Sequence, residues 1–140
     1  MLAAGFAATA AGPVSAACTA SRTKTLIRTF VAEYNRGRVD AADRLWAKEP
    51  YFQWFSAAGR YGPKAYDRAS LAPYFRGRVL LHERIVLTKL GAGYDPKRNI
   101  VNFSGMLVRS ADDLRAGAPR PFKGAADCTA AGPILIVWSM

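Results

Sequence analysis

Few side chains in this sequence can move a proton, and they stand apart. His82 is the single histidine, inside a run read as a strand beside Glu83 and Arg84. Adjacent strand residues point to opposite faces, so Glu83 cannot orient the imidazole, whereas Arg84 shares its side. His82 is a candidate general base, with a surface or hydrogen-bonded strand histidine as its plain alternative. Asp127, beside Cys128 near the end of a later strand, is the second acid or base candidate, with an edge-of-strand salt bridge as its plain alternative. Asn102 and Ser104 share one strand face, where they either fix a ligand carbonyl or meet solvent.

Other chemistries are set aside by spacing. One histidine and two distant cysteines make no zinc constellation. No glycine loop has the pattern that cradles a phosphate, and Phe103-Ser104-Gly105 lacks the first glycine of a nucleophile elbow. Neither a metal nor a cofactor is called for.

The cysteines bear on location. Residues 1–17 are small and apolar, carry no charge, and end in Val14-Ser15-Ala16 and Ser15-Ala16-Ala17, either of which suits cleavage. The reading is a signal peptide over 1–17, without the usual basic front portion, followed by one domain over 18–140 and export to the envelope or beyond. If 1–17 is instead an Ala-rich tail, the protein is cytoplasmic. The run is too short, and too broken by Gly5, Gly12 and Pro13, to span a bilayer. In an exported chain Cys18 and Cys128 suggest one disulfide. The competing readings are a lipid on Cys18 and two unpaired thiols.

The formal charge of +10 attracts polyanions. Yet the basic residues are scattered, as Arg36/Arg38 and Arg76/Arg78, without a run of five. That is a solvated surface rather than a nucleic-acid site.

The elements that must position these groups follow from periodicity. Leu26, Ile27, Phe30, Val31 and Tyr34 recur at helical steps, predicting a helix over 21–37 ended by Gly37. Asp40 is placed to cap a second helix reaching Lys48. Tyr51–Ser56 has strand character, with Phe52, Trp54 and Ser56 on one face. Asp67 or Ser70 caps a third helix that Gly77 ends, with Pro73 tolerable only in the first turn. Strands are predicted over Val79–Leu90 and Ile100–Arg109 about a turn at Gly91–Pro96. A loop over Ser110–Pro121 precedes a hairpin of Phe122–Cys128 and Ile134–Met140. The layout is α+β, with the helices on one face of a mainly antiparallel sheet.

This order, with Phe30-x3-Tyr34-Asn35-x-Gly37-x2-Asp40-x4-Leu45 and the aromatic strand after it, resembles the nuclear transport factor 2-like superfamily, which includes SnoaL-like and ketosteroid-isomerase-like proteins. The resemblance implies a cone: three N-terminal helices packed on a curved sheet, with a pocket at the wide end. Members include isomerases, cyclases, dehydratases and carriers, so fold does not choose function. Counted from the Asn-x-Gly corner, the isomerases' oxyanion-binding tyrosine falls on Phe30 and their general-base aspartate on Trp54. Neither exchanges a proton, which removes the isomerase mechanism at these positions.

If Trp54 faces the pocket, Phe30, Tyr34, Phe52, Trp54 and Trp138 line it with Asn102 nearby, an aromatic set suited to a small apolar or aromatic molecule. The plain alternative is that these rings fill the cone. Three functions follow: an exported small-molecule-binding domain, a SnoaL-like lyase, cyclase or isomerase using His82 or Asp127, or an interaction module that pairs as a homodimer through the outer sheet and meets acidic partners with its basic surface.

Overall fold

The computed structural model describes residues 16–56 and 64–140; the expected leader up to residue 15 lies outside the described residues. Helix α1 (Ala20–Asn35) starts at Thr19, whose hydroxyl accepts a hydrogen bond from the Arg22 N–H at 3.1 Å. This cap satisfies one of the amides that a helix start leaves unpaired. The helix buries Ile27, Phe30, Val31 and Tyr34, the stripe that the sequence spacing predicts.

Its end is tied to the sheet by the Asn-x-Gly corner. The Asn35 side chain donates to the Ile85 carbonyl at 2.7 Å and accepts from the Ile85 N–H at 2.8 Å. An amide thereby pairs with strand backbone as a second strand would. Gly37 has φ +72°, a region that disfavours side chains.

Helix α2 (Val39–Asp43) is shorter than expected. Asp40 lies in its first turn, and Arg38 holds the cap position without a side-chain hydrogen bond. The chain leaves the helix because the next residues bind the sheet: the Leu135 N–H donates to the Leu45 carbonyl at 3.0 Å, and the Ala47 N–H to the Leu135 carbonyl at 2.8 Å. Strand β1 (Trp54–Ser56) and strand β2 (Lys64–Ala65) follow.

Helix α3 (Arg68–Leu80) is capped by Asp67, whose carboxylate accepts from the Ser70 N–H at 2.8 Å. Pro73 stands inside it, beyond the first turn, and the helix runs through Gly77 to Leu80. Burial of Leu71 and Phe75 outweighs the helix-breaking tendency of both residues.

Four long strands complete the fold: β3 (Arg84–Asp95), β4 (Ile100–Ser110), β5 (Arg120–Thr129) and β6 (Gly132–Ser139). The predicted turn at Gly91–Pro96 is a strand as far as Asp95. Gly91, Ala92 and Gly93 pair with Ser104, Phe103 and Asn102, so ladder hydrogen bonds override the glycines' turn tendency. The sheet order is β2-β1-β6-β5-β4-β3. Among the described strands β1 and β6 run parallel, and the other neighbouring pairs are antiparallel.

The α+β layout thus holds, with the helices against one sheet face. Phe103, Leu107, Phe122, Leu135 and Trp138 from the sheet join Ile27, Phe30 and Phe75 in one core. A Cys18–Cys128 disulfide pins the chain just before α1 to the end of β5. Of the three readings of these cysteines the disulfide is the one observed, and it takes the Cys18 thiol away from lipid attachment.

Candidate functional site

Alternation along β1 decides where the predicted pocket residues go. Phe55 pairs with Trp138, and both rings are fully buried against Phe30, at centroid separations of 6.3 and 5.5 Å. Phe55 therefore faces the helices. Trp54, paired with Val137, faces the outer side. Phe52 precedes the strand and turns inward, edge-on to Trp46 at 5.9 Å. The expected shared face of Phe52 and Trp54 fails because the strand begins at Trp54, three residues after the aromatic run starts at Tyr51.

The predicted set is thus split between the two faces of the sheet. Phe30, Tyr34, Phe52 and Trp138 belong to the interior, where Phe30 also meets Trp46 at 5.6 Å and Phe75 at 5.6 Å. Among the described residues these rings are core. Their polar atoms are less settled: the hydroxyls of Tyr34 and Tyr74 and the indole nitrogens of Trp46 and Trp138 are buried without a hydrogen-bond partner there.

Burial, reinforced by the Glu83 carboxylate, pushes Tyr34 well above the ordinary tyrosine range and Tyr74 up to about 12. Both stay protonated in the fold while an unfolded tyrosine ionises near 10. Their contribution to stability is therefore intact below roughly pH 10 and is lost as the pH rises above it, by up to about 1.4 kcal/mol per pH unit for each. Melting curves at about pH 9 and about pH 11 are expected to show this loss. A Tyr34→Phe/Tyr74→Phe protein should lose less over the same interval; an equal loss would refute the assignment.

Glu83 is the buried carboxylate that the sequence gives no sign of. Its side chain is 0% exposed, and Arg78 and Arg109 both hold it. Arg109 donates to its two oxygens at 3.0 Å each. Arg78 reaches on to Asp113 with a fork at 2.8 and 2.9 Å, which holds that carboxyl below its usual range.

His82 is not on a strand. It occupies the connection between α3 and β3 with φ 52°. It shares the wall of a hollow of about 250 Å³ with Tyr34 and Glu83. Yet its side chain is 80% exposed, with Nδ1 2.7 Å from an Asp112 oxygen. Asp127 lies on the outer face between Ile100 and Ile134. The two acid–base candidates are on separate parts of the surface, and neither enters the aromatic interior.

The outer face is where Trp54 and Asn102 come together. They line one groove of about 830 Å³, within the range of small-molecule sites. Register explains both its shape and its chemistry. One row across the sheet is Gly93, Asn102, Ala125, Val137 and Trp54. The small residues leave a depression, and a Cβ built on Gly93 meets nothing within 4 Å. The next row is Gly91, Ser104, Lys123 and Ser139. Trp54 is the wall at the β1 side. What the arrangement offers is an apolar floor beside an indole, with amide, hydroxyl and ammonium donors at its edge. Among the described residues the lining holds no carboxylate and no imidazole.

No protein-family model matches the sequence, and no curated protein matches it. Solved structures do match. A Mycobacterium tuberculosis protein of unknown function superposes with a TM-score of 0.67 at 11% identity, over 84% of this chain and 72% of its own. A nuclear transport factor 2-like protein with a cystatin-like fold from Novosphingobium aromaticivorans gives 0.64 at 13%, over 84% and 77%. A protein from Streptomyces avermitilis, of the same family and provisionally named a dehydratase, gives 0.66 at 11%, over 84% and 92%. The likeness is one of fold: this chain has the nuclear transport factor 2-like, cystatin-like fold.

Proposed function

We propose that this chain is an exported small-molecule-binding domain that takes a small apolar or aromatic molecule in the outer groove beside Trp54. The observation that carries the reading is the groove itself, a hollow of about 830 Å³ with an apolar floor, an indole wall and polar side chains at its edge. Export is supported by the composition of residues 1–17 and by the disulfide. Binding is preferred to catalysis because neither acid–base candidate lines the groove: His82 is on another part of the surface, and Asp127 is one row beyond the lining. No described helix is long and apolar enough to cross a membrane.

The three tryptophans make the reading testable by fluorescence. Trp46 and Trp138 are buried, at 1% and 0% exposure, whereas Trp54 is only half-buried and lines the groove. Flat aromatic ligands are expected to quench Trp54 and raise the melting temperature. Trp54→Ala should weaken them by about five- to thirtyfold, the equivalent of roughly 1–2 kcal/mol for a stacked ring. Ligands that stabilise the wild type and Trp54→Ala equally would remove the groove from consideration.

A further inference from the structure

We infer that the groove selects an anion: a molecule with a flat apolar body and one carboxylate-like end. This rests on the reading of the groove as a small-molecule site and gives it a ligand class. Register fixes the donor cluster. Lys123 on β5 stands directly between Ser104 on β4 and Ser139 on β6, all on the outer face. Directly opposed residues of neighbouring strands have Cβ atoms roughly 5 Å apart. An ammonium with three donors is thus flanked by two hydroxyls, a set that serves an anion through charge-assisted hydrogen bonds.

The rest of the groove sets the body of the ligand. Two residues further along the strands, the same face carries Asn102, Ala125, Val137 and Trp54. Trp54 lies two strands from Lys123 and two residues along. Ordinary sheet spacings put these backbones roughly 12 Å apart. A fused pair of aromatic rings with a carboxylate spans that interval, its rings beside Trp54 and its charge at Lys123.

Charge favours the anion over the other occupants of such a face. Lys123 makes no ion pair among the described residues, and Arg98 at the rim is loosely met by Asp95 at 4.0 Å. Asp127, one row further along, is outside the lining. A second copy of the chain docked on the groove would bury two Lys123 ammoniums in one interface without a carboxylate from either lining, which disfavours it. An anion instead supplies the missing countercharge.

The experiment compares naphthalene carboxylate with naphthalene carboxamide, matched in shape, by Trp54 quenching on the intact chain at low salt. The carboxylate is expected to bind about tenfold or more tightly than the amide, with a preference that shrinks as salt is added. Lys123→Met should cut the preference to about twofold, and Lys123→Arg should retain most of it; both leave an exposed position on the sheet, so melting curves should be unchanged. Equal binding of acid and amide would overturn the inference while leaving the groove reading intact. Failure of both to bind would overturn both. A carboxylate preference that survives in Lys123→Met would place the anion elsewhere and overturn it, as would sedimentation showing that the wild type pairs through this face and shields Trp54.

Discussion

Replacing Glu83 with alanine is expected to cost about 3–5 kcal/mol of stability, the range for removing one partner from a buried ion pair. The carboxylate is wholly buried, while the Arg78 and Arg109 side chains are 12% and 14% exposed. Once the acid is gone, Arg78 keeps its fork to Asp113, but the two guanidiniums lose the buried carboxylate that lies between them and repel each other. The network also joins separate elements: Arg78 on α3, Glu83 at the start of the sheet, Arg109 on β4 and Asp113 beyond it. Glu83→Gln keeps the shape and one acceptor oxygen, so it should fall short of alanine in cost yet remain clearly destabilising. Asp113→Asn is the control; its carboxylate is 49% exposed and screened by water, and its loss should cost much less than either change at Glu83. Urea unfolding measures all three, and a Glu83→Gln protein within about 0.5 kcal/mol of wild type would refute the argument. Because the Glu83 charge helps to raise Tyr34 and Tyr74, the same substitution should soften the loss of stability in alkali.

Local pattern made α1 legible: its buried stripe and its Gly37 ending both follow from residue type and spacing. The cysteine pairing was legible too, since two cysteines admit one internal bridge. The site was legible only in part. Trp54 and Asn102 do share a groove, but parity along a strand depends on where pairing begins, and β1 begins at Trp54 because it joins β6 there. That boundary is set by a long-range partner, which no local pattern encodes. Gly91-Ala92-Gly93 reads as a turn for the same reason; only the opposing residues of β4 make it a strand. Glu83 shows the limit most sharply. A glutamate beside a histidine reads as surface, and its burial depends on Arg78 and Arg109 arriving from α3 and β4.

Reducing the Cys18–Cys128 disulfide is the second large effect expected. The two cysteines are 110 residues apart in sequence. Closing a loop of about a hundred residues stabilises a fold by about 4.7 kcal/mol in the chain-entropy model, because it removes unfolded conformations. For a domain of this size a loss of that order lowers the melting temperature by about 10 °C or more. Both half-cystines are also buried, at 1% and 5% exposure, against Val101 in a small apolar cluster. Cys128 stays in the sheet through Asn99, but the hydrogen bond from α1 to the β5–β6 turn among the described residues is a long one, Arg22 donating to the Ala131 carbonyl at 3.5 Å. The start of α1 should therefore loosen from the β5–β6 turn when the bridge is cut. A Cys18→Ser/Cys128→Ser protein should melt like the reduced wild type and be indifferent to reductant. A reduced protein within about 1 kcal/mol of the oxidised one would show that the bridge constrains little, as happens when the unfolded chain is already compact. The groove provides an independent reading of the same sample. Its rows lie on β1 and β3–β6 and its Trp54 signal is distant in sequence from both cysteines. Reduced but folded protein should therefore still bind an aromatic ligand, separating loss of stability from loss of the site.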